Sequence, residues 1–111
     1  MSHLEVTLAA QLDEAGIKYE QQFKAITGRR FSFDFAVKDV CDDTWLIECQ
    51  GGIWHKGGHS TGVGITRDAE KNNLAALAGY RCLMVTSEHI KSGQALTWIQ
   101  EAINGRKEAI G

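Results

Sequence analysis

Two runs of strand-forming residues, FSFDFAV at 31–37 and TWLIECQ at 44–50, are separated only by KDVCDD. In the first, Phe31, Phe33, Phe35 and Val37 alternate with Ser32, Asp34 and Ala36, the period-two pattern of a strand with one apolar face. A polar link at 39–43 is too short for a crossover, so the runs are expected to pair as an antiparallel hairpin. Alternation also sets Glu48 and Gln50 on one face of the second run and Trp45, Ile47 and Cys49 on the other. The hairpin then brings Asp34 within a few residues of lying opposite Glu48. Two carboxylates on a mainly apolar sheet repel each other and lose hydration. They are tolerable if a divalent cation lies between them or if one is protonated. Hard oxygen donors without a thiolate-rich motif favour Mg²⁺ or Mn²⁺ over zinc.

The rest of the chain supplies elements to cover such a sheet. Leu4, Leu8, Leu12 and Ala15 describe an amphipathic helix over 3–15, closed by Gly16. A strand is expected over 17–26 and a turn at 27–30. The segment 51–65 is long and rich in glycine, as functional loops are. Thr66 is suited to cap a helix over 67–78, with Asp68 and Glu70 near its positive end. On that helix Lys71 shares a side with Leu74, Ala75 and Ala78, the stripe that faces a sheet. The nearly continuous apolar run at 80–86 suits a buried, parallel strand, and helix resumes at Ser87, most clearly over 94–103. The order αβββαβα predicts an α/β or α+β domain, a mixed sheet flanked by helices, over residues 1–111.

A composition of 43% hydrophobic and 23% charged residues is that of a globular chain, and no apolar run is long enough for a membrane helix. The N-terminal stretch lacks the pattern of a signal peptide, and three cysteines without a CxxC spacing do not make a disulfide framework. A reducing, cytoplasmic setting is the expectation. The net charge of −2 does not advertise nucleic-acid binding, but Lys18, Lys24, Arg29, Arg30 and Lys38 face only Glu20 and Asp34 within their segment. A phosphate-facing patch and a solvated hairpin fit that charge equally.

The run FDF…WLIECQGG resembles the PD-(D/E)XK nuclease superfamily, with Asp34 and Glu48 at its acidic positions. The following GGIWHKGGHSTGVGITRDAEKNNLAALAGYRCLMVT is similar to small phage and prophage nucleases near the VRR-NUC and very-short-patch-repair branches. The matching positions there include Asp68, Glu70, Lys71, Asn73, Gly79, Tyr80, Val85 and Thr86, and the likeness spans about residues 4–90. It implies a restriction-endonuclease-like core and a metal-dependent endodeoxyribonuclease in a bacterial or phage-infected cell. It further implies Mg²⁺ held by Asp34, Glu48 and the backbone carbonyl of Cys49, with Glu5 bonding a water of the cation. His59, with Lys56, Arg29, Arg30 and Arg67, would contact DNA. Gln50 stands where lysine is commonest in the family, so it can orient water but cannot supply positive charge; Lys71 is the candidate for that task. A homodimer cutting branched DNA in the manner of junction resolvases, without a small-molecule cofactor, is the preferred version.

Blander readings stand beside these. Asp34 and Glu48 would serve structure alone if they paired with Arg29 or Arg30, Glu5 is also an ordinary first-turn cap, and Lys71 would snorkel from a half-buried site. Cys49, His55 and His59 form C-x5-H-x3-H, but Cys49 should point away from Glu48, which disfavours zinc. Two other classes remain: a nucleic-acid-binding relic in which Gln50 marks lost catalysis, and a zinc-stabilised interaction module. Trp54 suits either base stacking or covering the sheet.

Overall fold

The computed structural model of the chain describes residues 2–50 and 62–105. Helix α1 (His3–Glu14) leads into strands β1 (Glu20–Phe23), β2 (Phe33–Lys38) and β3 (Thr44–Gln50). Helix α2 (Gly62–Leu77), strand β4 (Arg81–Thr86) and helices α3 (Ser87–Ser92) and α4 (Gln94–Asn104) follow. The strands form one mixed sheet in the order β1-β2-β3-β4, antiparallel except for the β3–β4 pair. The fold is thus α+β, a mixed sheet flanked by helices, as the order of elements predicted.

The two faces of the sheet are unequal. On one, Phe35, Val37, Ile47 and Val85 pack against Leu8 and Leu12 of α1, Ile90 of α3, and Ala95 and Ile99 of α4. On the other, Phe33, Ala36 and Leu46 meet only Ala75 of α2 among the buried residues. Non-directional burial at about 25 cal/mol per Å² places most of the fold's cohesion on the three-helix face. α2 lies on a thin apolar strip, with Leu77 85% exposed at its end.

Local chemistry explains the boundaries. Ser2 Oγ accepts the Glu5 N–H at the start of α1. At the β2–β3 hairpin, Asp39 Oδ1 accepts the N–H groups of Cys41 (2.8 Å) and Asp43 (2.9 Å), and Asp39 Oδ2 accepts Trp45 Nε1–H at 3.0 Å. One aspartate so closes the turn by the side-chain-to-backbone route that favours Asp there. The final helical region is two helices: Gly93 adopts φ +88, ending α3 before α4 starts, while Thr86 and His89 form the capping box that opens α3.

Several expectations need correction. β1 is four residues, not the ten of 17–26. α2 starts at Gly62, inside the stretch read as loop, so Thr66 is not its cap and Asp68 and Glu70 lie beyond its first turn. β4 runs parallel to β3 as expected, but as an edge strand with Met84 51% exposed. Phe33 does not share a face with Phe35: it is buried in the α2-side cluster, so the alternation of β2 breaks at Asp34. Among the described residues no helix is long and apolar enough to cross a membrane.

Phe35 is fully buried, beneath α1 and edge-on to Tyr19 at 5.5 Å between ring centres. Phe35→Ala is expected to cost about 3–5 kcal/mol, read from urea unfolding. A loss below about 1 kcal/mol would show that the three-helix face is not the main core.

Candidate active site

β3 outruns its neighbour. The β2–β3 ladder runs from Lys38↔Thr44 to Phe35↔Ile47 and stops. β3 continues to Gln50 on β4 alone, through Glu48↔Met84, Cys49↔Val85 and Gln50↔Thr86. The next position on the β2 side is Asp34, across from Glu48. Here side chains replace the missing backbone partners: the Asp34 N–H donates to Glu48 Oε1 at 3.2 Å, and the Cys49 N–H donates to Asp34 Oδ2 at 2.8 Å. Each carboxylate fills the acceptor place left by the other strand. These bonds meet the rule that buried N–H groups find partners.

Lys71 completes the arrangement from α2. Its Nζ donates to Glu48 Oε2, with both side chains largely covered, at 17% and 14% exposure. The same ammonium lies 4.5 Å from the centre of the Phe33 ring, so the break that turns Phe33 toward α2 also gives Lys71 a platform. Burial raises the Glu48 carboxyl above its ordinary range; the hydrogen bond and charge of Lys71 pull it back, and the charge of Asp34 pushes it up again. Lys71 thus pairs with Glu48, while Asp34 Oδ2 takes a backbone N–H. Asp34 Oδ1 accepts no hydrogen bond among the described residues.

Glu5 approaches from α1. Its Oε2 accepts Ser2 Oγ at 3.2 Å and its Oε1 accepts Gln22 Nε2 at 3.0 Å, so the capping role is present and is not the whole role. Cys49 turns away from Glu48 into the three-helix face, as alternation required. Burial first, then the charges of Asp34, Glu5 and Glu48, push its thiol up to about 12. A thiol so held is protonated at neutral pH. It is the backbone carbonyl of Cys49, not the side chain turned to the three-helix face, that stands with Glu48 at the strand end.

The other candidates are placed as follows. Gln50 is half-buried at the end of β3, on the Glu48 side. Arg29 pairs with Glu70 at 2.6 Å and stacks over Phe31, so it does not neutralise Asp34 or Glu48. Arg30 and Arg67 are exposed, Arg67 one turn ahead of Lys71 on α2. Lys56, His59, His55 and Trp54 lie outside the described residues. Gln22 and Ser32 join the site without having been legible in the sequence: Ser32 Oγ donates to Gln22 Oε1 at 3.0 Å, and nothing in the run KYEQQF marks the second glutamine.

The donors fit a hard divalent cation. The Asp34 carboxylate, the lone pairs of Glu48 and a backbone carbonyl are oxygen ligands, and among the described residues the pair of acids carries one more charge than Lys71 balances. No group of three or more His, Cys, Asp or Glu side chains suited to a metal occurs among the described residues. Oxygen donors of this kind suit Mg²⁺, which keeps several of its waters. No protein-family model matches the chain, and no curated protein or solved structure is significantly similar to it. What this site can do rests on its own chemistry.

Two measurements follow. Exposed Cys41 is expected to react with a thiol reagent in the native protein at about pH 8, while Cys49 reacts only on unfolding; fast native labelling of Cys49, located by peptide mass, contradicts its placement. The second concerns pH. A carboxyl whose folded-state pKa exceeds its unfolded value binds its proton more tightly in the native protein, so its ionisation subtracts stability as pH rises. Glu48→Gln does not ionise. In chelator, its stability relative to wild type should therefore climb from about pH 4 to about pH 7. A relative stability that falls over that range, in urea midpoints, would reverse the direction given for Glu48.

Proposed function

We propose that the chain is a metal-dependent phosphodiesterase acting on DNA. The observation that carries this reading is the meeting of Asp34 and Glu48 at the end of the β2–β3 ladder, with the Lys71 ammonium on Glu48. Asp34, Glu48 and the Cys49 carbonyl would hold the cation, Mg²⁺ or Mn²⁺. Such a cation, when bound, activates water and offsets charge developing on the phosphate. Glu48 must then divide its lone pairs between the cation and Lys71. Lys71, eased from Glu48, is placed to meet the phosphate with the positive charge that Gln50 lacks. Gln50, on the same side of β3, orients water through its amide. The reaction is hydrolysis by in-line attack of water, leaving a 5′-phosphate and a 3′-hydroxyl.

Arg67 and Arg30, exposed near the α2 side, suit contacts to the phosphate backbone, with Arg29 held by Glu70 beside them. A domain of this size does not enclose a duplex. Branched DNA cut by a homodimer, each copy presenting one site to one strand, is the preferred biological version. The Lys71–Glu48 ion pair favours one competing reading, a nucleic-acid-binding domain in which that pair is purely structural.

Purified protein with Mg²⁺ or Mn²⁺ is expected to cut at least one of a four-way junction, a flap or a duplex, and to stop in chelator. Glu48→Ala and Asp34→Asn should each lower the rate at least about 100-fold while leaving DNA affinity in chelator nearly unchanged. Binding without cleavage of any of these substrates favours the purely structural ion pair and overturns the hydrolase.

A further inference from the structure

Gln22 sits in the middle of β1 with φ +51, a left-handed conformation that residues bearing a Cβ seldom adopt. Regular pairs bracket it, Gln21↔Phe35 on one side and Phe23↔Phe33 on the other, so the residue across from it is Asp34. The ladder thus skips a pair at the very position where β2 leaves β3. Backbone strain persists where the surroundings over-determine it, and it clusters at functional sites.

The side chain uses both ends of its amide. Nε2 donates to Glu5 Oε1 at 3.0 Å and Oε1 accepts Ser32 Oγ at 3.0 Å, linking α1 to the residues that enter β2. With Ser2 on its other oxygen, the Glu5 carboxylate is held at both ends. Gln22, to which it is bonded, lies across from Asp34, whose Oδ2 accepts the Cys49 N–H. Glu5 comes from α1, on the three-helix face of the sheet, and Lys71 from α2, on the other face.

We propose that Gln22 is a positioning residue: its left-handed backbone aims the amide at Glu5 and fixes that carboxylate beside Asp34 and Glu48, as hydrogen-bond acceptor for a water at the site. The proposal rests on the metal-dependent hydrolase reading. It assigns the skipped pair a function that a bulge serving only the twist of the sheet does not have.

Gln22→Gly and Gln22→Ala separate the two. Both remove the amide, but glycine relieves the left-handed backbone and alanine keeps it, so the glycine variant should melt at the higher temperature of the two. A positioning role predicts that both lose kcat alike, roughly 10–100-fold, with KM for DNA unchanged and with Mn²⁺ affinity, measured by paramagnetic resonance without DNA, weakened in both. Adding Glu5→Gln to Gln22→Ala should bring little further loss, because one arm is already released. Wild-type kcat and Mn²⁺ affinity in Gln22→Ala overturn the proposal, as does a loss that follows melting temperature and spares the glycine variant. If the wild type neither binds Mn²⁺ nor cuts DNA, the hydrolase reading has failed and the positioning role fails with it. An active wild type with indifferent variants removes the positioning role alone.

Discussion

A backbone N–H at the end of a partly buried strand must have an acceptor, and at the end of β3 the acceptors are carboxylates. Asp34 takes the Cys49 N–H, Glu48 takes the Asp34 N–H, and Lys71 balances one of the two charges. Ordinary ladder bonds would have satisfied the same donors without desolvating any ion. The carboxylate version is the more expensive structure, since burying charge costs several kcal/mol per ion before pairing returns part of it. Its consequence is an opening in the β2–β3 ladder, where a pair of acids stands in place of regular backbone bonds.

That opening depends on the asymmetry of the two faces. The cluster of Phe35, Ile47, Val85 and the residues of α1, α3 and α4 is broad and fully buried, and it anchors β3 and β4 from the three-helix side. Among the described residues the opposite face buries Phe33, Ala36, Leu46 and Ala75, with Phe23, Ala25, Ile26, Tyr80 and Cys82 partly buried beside them. A thin contact leaves α2 able to carry Lys71 over the strand end instead of sealing it beneath apolar side chains. Phe33 serves both ends of this design, filling the α2-side cluster while its ring supports the ammonium.

Much of this was legible because it follows from periodicity. The hairpin and the approach of Asp34 to Glu48 come from strict alternation around a short polar turn. The reach of Lys71 comes from its i+3 and i+4 relation to Leu74 and Ala75. The parallel setting of β4 comes from an uninterrupted apolar run. What escaped is where the period fails. Phe33 and Phe35 look equivalent in FSFDF, and only the skipped pair at Asp34 sends them to opposite faces. Gln22 carries no glycine or asparagine signature for its positive φ, because tertiary bonds to Glu5 and Ser32 hold it there. The start of α2 escaped because glycines at 62 and 64 read as loop, and the break at Gly93 because helical spacing continues across it.

In the proposed hydrolase Asp34 and Glu48 are paired to take up a divalent cation, with Lys71 standing against Glu48 until they do. Diffraction at the manganese edge from crystals equilibrated with Mn²⁺ tests it most directly. An anomalous peak touching both carboxylates is expected, with the Lys71 ammonium drawn away from Glu48. No peak there at saturating Mn²⁺, with the Lys71–Glu48 pair undisturbed, would contradict it.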